Sequence, residues 1–384
     1  GQVPQITLAG QVNGLYVYNV KNRGGFIIVS NDDATIPILG FSDSGNIEIN
    51  HIPSNMKAWL QGYADEIAWY QKHSVKTAKP ARKAKAGNHP TAPIAPLLTT
   101  IWNQDAPFND LCPLDYNNEK SASGCVATAM AQVMNYHKWP QSETTAIPGY
   151  VAETLGLDMP GLPATTFDWA NMKDDYRHGY TSEEGAAVAK LMLYCGYALE
   201  MDYGPSSGSY PQLIAPALKN YFDYNESAQM VVRSLYTTAK WHDLIYHELV
   251  NGRPVMYSGV SSGGGHEFVC DGYRYDSDSE TDFFHINWGW GGTSDNYFVL
   301  SALNPYQQGI GGSSSDDGFN INQCAVIGIQ PSTGTGSIAD IKPNNINLTV
   351  NRMTLEANPA FVYKQVNITL NITNNSDEDY DGDS

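Results

Sequence analysis

Ser121-Ala122-Ser123-Gly124-Cys125-Val126-Ala127-Thr128-Ala129-Met130-Ala131-Gln132-Val133-Met134-Asn135-Tyr136-His137 is the stretch from which the rest of the chain is read. Val126, Met130, Val133, Met134 and His137 recur at helical spacing, and the small, flexible Ser-Ala-Ser-Gly before them reads as a loop. The pattern predicts a helix that begins at Cys125. In that first turn the unpaired backbone N–H groups and the positive end of the helix dipole favour a thiolate, the nucleophilic form of cysteine. The same N–H groups can receive an oxyanion.

A thiolate nucleophile needs a base, and Gly263-Gly264-Gly265-His266-Glu267-Phe268-Val269-Cys270 offers one at the mouth of a Gly-rich loop, where a ligand's backbone can come close. His266 lies 141 residues after Cys125, within the about 130–150 expected for a papain-type pair. Phe283-Phe284-His285-Ile286-Asn287-Trp288-Gly289-Trp290 follows one turn later. Asn287 is the candidate to orient the imidazole and Trp288 to shield that contact from water. Upstream, Trp102-Asn103-Gln104 supplies Gln104 as a side-chain donor for the oxyanion.

Outward from these blocks, 384 residues with 42% apolar content imply two to three domains and exclude a chain disordered throughout. The 40 Asp and Glu against 22 Lys and Arg leave a net charge of −18, which argues against nucleic acid and anionic lipid as partners. No run of about 18 apolar residues predicts a membrane-spanning helix. The chain opens without a charged, apolar leader, so an exported protein would already have lost it. Five cysteines at 112, 125, 195, 270 and 324 contain no C-x-x-C pair, which speaks against a zinc site or a disulfide framework. Cys112, Cys195 and Cys324 read as packing residues, whereas Cys270 shares His266's strand and is expected near the site. Asp276-x-Asp278-x-Glu280-x-Asp282 lacks the glycine and the final glutamate of a calcium loop and reads as a solvated hairpin turn; no metal or other cofactor is expected.

Charge also divides the chain. Residues 1–86 hold nine basic and six acidic residues, and six of the nine basic ones lie between Lys72 and Lys85. This basic stretch, running into Pro90, Pro93 and Pro96, reads as an exposed linker open to proteolysis. Before it, strands at 14–20 and 25–30 and a helix over 52–73 form a small α+β unit. In the main segment, 87–334, helical signals come first and strands follow (254–258, 266–275, 283–288, 297–300 and 325–329), the order of an α+β fold with a helical lobe and a mostly antiparallel sheet. Residues 335–384 alternate like the first strands of a β-sandwich, and the Asn-x-Ser/Thr triplets there read as outward-facing polar positions.

Four blocks spread over this main segment resemble the streptopain family of papain-like cysteine peptidases: Trp102-Asn103-Gln104 with Pro107-Phe108-Asn109; Gly124–Ala129 with Met134–His137; Met201–Ser209; and Gly265-His266 with His285–Gly292. The resemblance implies a two-lobed papain-like domain in a secreted or surface-exposed bacterial endopeptidase, made as a zymogen whose first 86 residues act as an intramolecular inhibitor. It implies Cys125 as nucleophile, His266 as base and then acid, and Gln104 with the Cys125 N–H as oxyanion hole. Asn287 and Trp288 would hold the imidazole, by side chain or main chain. Ser206, Ser207, Gly208, Ser209 and Gly265 would line a cleft for protein or peptide substrates, with a family leaning to apolar side chains near the cut. A Cys-His acyltransferase and a non-catalytic adhesive protein on a peptidase scaffold are the competing readings; the retained Gln/Cys/His/Asn set argues against the second.

Overall fold

The computed structural model describes residues 6–12, 15–21, 25–30, 38–42, 46–49, 90–278, 280–305, 308–310, 312, 318–343, 348–355 and 368–374. The helix expected over 52–73 and the basic stretch up to residue 89 lie outside them. The chain separates into two compact units, Gly1–His89 and Pro90–Ser384.

In the first unit, β1 (Ile6–Val12), β2 (Leu15–Val20), β3 (Phe26–Val29) and β4 (Ile38–Ser42) form an antiparallel meander. Leu15, Val17 and Ile28 turn inward, as a two-residue period requires of a sheet buried on one face. Asn19 clasps the segment around Ile47, exchanging two 2.9 Å hydrogen bonds with the Ile47 backbone.

The second unit opens on a stitched segment. Ile94 pairs with Tyr273, the Leu97 N–H donates to the Asp271 carbonyl, and the Tyr273 hydroxyl donates to the Pro90 carbonyl at 2.7 Å. Of the linker expected over 72–96, its last residues are therefore fastened to the sheet and are no open spacer. Among the described residues four α-helices follow: α1 (Cys125–His137), α2 (Ser182–Ala198), α3 (Ile214–Tyr221) and α4 (Thr238–Val250). Thr181 and Glu184 close a capping box on α2, and Thr237 caps α4, so these two helices start where a side chain satisfies a free N–H group.

A small hairpin, β5 (Tyr150–Ala152) and β6 (Leu157–Met159), decorates this helical half. The main sheet is wholly antiparallel, built of β7 (Gln229–Val232), β8 (Val255–Ser261), β9 (Gly264–Asp276), β10 (Thr281–Asn287), β11 (Asn296–Phe298) and β12 (Ile321–Ile327) in the order β11-β10-β9-β8-β12-β7. One face, through Met256, Val269 and Val326, packs on α1 residues such as Met130 and Val133. The other, through Tyr257, Phe268 and Tyr273, packs on Trp241, Leu244 and Ile245 of α4. Helices first and an antiparallel sheet after is the α+β architecture expected. At the C-terminal end β13 (Leu348–Leu355) and β14 (Ile368–Asn374) form an antiparallel hairpin.

Candidate active site

Gly124 has φ +90°, a conformation that costs an L side chain, and a Cβ there would lie 2.5 Å from the Met201 sulfur. Backbone shape and packing both demand glycine immediately before the cysteine. Hydrogen bonds fix the approach: Ser123 N–H to the Gln104 carbonyl, Ala122 N–H to the Gly204 carbonyl, and Thr128 Oγ1 back to the Gly124 carbonyl, each 3.0 Å. Cys125 therefore begins α1 as expected, with its thiol buried against the sheet. The backbone amides of Glu267, Val126 and Cys125 itself reach the sulfur and favour the thiolate. Burial outweighs them and pushes the thiol up to about 11, so the expected activation by the helix end is present but is the smaller effect in this arrangement.

His266 lies on β9 with its ring enclosed by aromatic rings: Trp290 at 4.5 Å, Phe319 at 5.3 Å, Phe268 at 6.0 Å and Trp288 at 6.2 Å between centroids. Its Nε2 is 2.8 Å from the Trp288 carbonyl oxygen. A carbonyl only accepts, so Nε2 carries the hydrogen, and in the neutral ring Nδ1 keeps its lone pair. That is the tautomer of a general base.

The orienting contact departs from the expectation for Asn287. Its side chain does not meet the imidazole. Oδ1 accepts from Gln132 Nε2 and from the Gly289 N–H, both at 3.1 Å, while Nδ2 donates to the Thr100 carbonyl at 2.7 Å. Asn287 instead anchors the turn whose next carbonyl, that of Trp288, holds His266. The Trp288 N–H donates in turn to Asp295 Oδ1 at 2.9 Å, and burial raises the Asp295 carboxyl to about 6. The Trp288 ring is fully buried, its indole N–H has no hydrogen-bond partner among the described residues, and it lies nearly parallel to the imidazole, as a shield against water would.

Gln104 is buried, and its backbone bond to Ser123 brings it two residues from the nucleophile. Its Nε2 donates to the Ile310 carbonyl at 2.5 Å, an oxygen that also accepts from the Trp290 indole at 3.1 Å. A carbonyl thus already occupies the donor proposed for the oxyanion.

Among the expected cleft residues, Ser206, Gly208 and Gly265 are exposed. Ser207 is buried, and its hydroxyl donates to the Ala122 carbonyl at 2.6 Å while accepting from the Gly204 N–H; Ser209 donates to the Leu199 carbonyl. These two serines brace the loop behind Cys125 and do not face outward as expected of cleft residues. Cys270 is fully buried in the α4-side core, not beside the nucleophile, and all five cysteines are free and buried. In the acidic run, Asp282 is no solvated turn residue: it is buried, 2.7 Å from His242 Nδ1 and 2.5 Å from the Tyr273 hydroxyl.

Three contributors escaped sequence reasoning: Gln132, Asp295 and Glu267. Gln132 has one detectable signal, a polar side chain set between the apolar stretches Ala129–Ala131 and Val133-Met134 of the helix. It is fully buried and links Thr100 Oγ1, at 2.9 Å from its Oε1, to Asn287.

Residues 102–298 match the Peptidase C10 family, and residues 5–67 match the Spi protease inhibitor family. Streptopain of Streptococcus pyogenes is 34% identical over 356 residues, covering 86% of this chain and 84% of its own. The thiol protease/hemagglutinin PrtT of Porphyromonas gingivalis is 34% identical over 83% of this chain, which spans only 37% of that relative's length. Among solved structures, a prointerpain A fragment of Prevotella intermedia is similar at 33% identity and TM-score 0.57, over 84% of this chain and 98% of the other. Active interpain A of the same organism is similar at 39% identity and TM-score 0.54, over 62% and 96%.

Proposed function

The chain belongs to the Peptidase C10 family of thiol proteases, and from that premise we propose that it is an exported endopeptidase zymogen whose Cys125 thiolate cleaves peptide bonds. Its N-terminal residues, 1–86, are the inhibitory segment, in keeping with the inhibitor-family match; 87–334 are the catalytic domain, and 335–384 begin an appended β module.

The observation that carries the mechanism is Cys125 in the first turn of α1 behind Gly124, close enough to the Glu267 amide, next to His266, for that amide to favour the thiolate. With the imidazole brought onto the sulfur, His266 Nδ1 takes the thiol proton and the thiolate attacks the scissile carbonyl carbon. As the S–C bond forms, the carbonyl π electrons move to oxygen. Gln104 Nε2–H and the Cys125 N–H receive that oxyanion, the substrate oxygen displacing the Ile310 carbonyl. The imidazolium then protonates the leaving amine as the C–N bond breaks. Water, deprotonated by His266, attacks the thioester, and the carboxylic acid and the thiol are regenerated. Trp288 serves by its carbonyl, Asn287 by holding the turn that presents it, and Asp295 by fixing the Trp288 N–H. Ser206, Gly208 and Gly265 line the substrate's path; Ser207 and Ser209 shape the loop from beneath.

Incubation of the purified chain under reducing conditions, followed by intact mass and peptide hydrolysis beside Cys125→Ala, tests this reading. We expect loss of an N-terminal fragment and appearance of activity only where Cys125 is present. Two chains that stay inert after the linker is cut by an added protease would refute it.

A further inference from the structure

Glu267 follows the proposed base along β9, and the alternation of a strand sends the two side chains to opposite faces. His266 shares its face with Phe268. Glu267 shares the α1 face with Val269, the face on which Cys125 rests. Across the sheet Glu267 stands directly opposite Ser258 of β8, and Ser258 directly opposite Cys324 of β12, so the three side chains form one row. The Ser258 hydroxyl is 2.9 Å from the Cys324 sulfur and stands close enough to the Glu267 carboxyl to favour its charged form.

Glu267 is 3% exposed, its Oε2 has no hydrogen-bond partner among the described residues, and no cationic side chain pairs with it there. The groups that face it are Cys125 from α1, Ser258 from β8 and Cys324 from β12, with His266 its neighbour on β9; none is a permanent cation. Burial holds the acid up to about 8, so an approaching cation would draw it back into its charged form.

A buried carboxyl with an unfilled oxygen is costly to fold around. This one lies beside the sulfur that a peptide carbonyl must reach. At about 3.3–3.6 Å per extended residue, a side chain one or two residues from the scissile bond falls in the same neighbourhood. A lysine or arginine there supplies the missing donor as a charge-assisted bond in a water-poor site, whereas an apolar side chain leaves the oxygen unfilled.

We propose that Glu267 is a specificity-determining residue that selects substrates carrying a basic side chain within two residues of the scissile bond. This rests on the cysteine-peptidase reading and departs from the apolar leaning that the family resemblance implies.

The test uses the processed enzyme. Iodoacetamide titration of Cys125 first measures the reactive fraction, and a peptide library is then varied at two positions on each side of the cut. At one position we expect kcat/KM for Lys or Arg to exceed that for Leu at least tenfold, with the ratio rising between pH 6 and 9. In Glu267→Gln and Glu267→Ala the Lys-to-Leu ratio should fall to near one, a comparison internal to each variant and independent of how much of it folds. A wild-type ratio near one at every position, or a ratio the substitutions leave unmoved while peptides are still cut, would overturn the inference and leave the peptidase reading standing. Absence of any hydrolysis by processed chain would overturn both.

Discussion

Cys125 and His266 belong to one proposed reaction yet sit in opposite kinds of surroundings. The thiol lies among backbone amides and a row of polar side chains, Glu267, Ser258 and Cys324, on the α1 face of the sheet. The imidazole is walled by Trp288, Trp290, Phe268 and Phe319, with Nε2 fixed on a carbonyl. The contrast separates two tasks. Around the nucleophile, protonation is adjustable, because amides, burial and a neighbouring acid pull in different directions. Around the base the tautomer is set, because Nε2 donates to the Trp288 carbonyl inside a shell of rings.

His266→Ala should break the pair most severely. Hydrolysis by the processed chain should fall by at least about 10³-fold. The rate of iodoacetamide alkylation at Cys125 should then climb only in strongly alkaline solution, following the burial-raised thiol, while wild type reacts near neutrality. An alkylation profile unchanged by the substitution would mean that the base acts elsewhere.

Gln132→Leu tests whether the two surroundings are joined. It removes the partner of Thr100 and one donor to Asn287, leaving buried polar atoms unsatisfied at a cost of roughly 2–3 kcal/mol in urea unfolding. Because the turn carrying the Trp288 carbonyl loosens, kcat should drop about tenfold or more with KM nearly constant; an equal loss in KM alone would place Gln132 outside this linkage.

Helix α1 with Cys125 at its start, the sheet strands and the place of His266 on one of them were legible in the sequence, because apolar period and glycine placement are local signals. The orienting carbonyl was not. Asn287 and Gln132 meet across 155 residues, and the opposition of Glu267, Ser258 and Cys324 is a matter of strand register that no local pattern encodes. The family resemblance left Asn287 to act by side chain or main chain, whereas the carbonyl of its neighbour Trp288 makes the contact.

Glu267→Gln sharpens the nucleophile side. A carboxyl raised from 4.5 to about 8 in the folded state favours folding fully only below the lower value, and that contribution is lost as pH rises toward the higher one. Wild-type thermal stability should therefore decline between pH 5 and 9 more than the variant's, which should melt a few degrees higher at pH 9. Parallel melting curves would mean the acid is not buried as described.

The smallest effect belongs to Trp288→Phe. The ring stack is retained, the indole N–H that lacks a partner disappears, and the carbonyl that holds His266 is backbone. Hydrolysis should change by less than about threefold, and a larger loss would assign the side chain a role beyond shielding.

The segment from Pro90 to Leu98 has a consequence for maturation. The carbonyls of Pro90 and Ala92 and the backbone of Ile94, Leu97 and Leu98 serve Tyr273, Tyr246 and Asp271, so trimming that reaches these residues strips the sheet and α4 of partners. In the maturation proposed above, shortening past Pro90 should therefore lower thermal stability in steps, as when stitches are unpicked from a seam, so that the sheet favours mature chains that begin at or before Pro90.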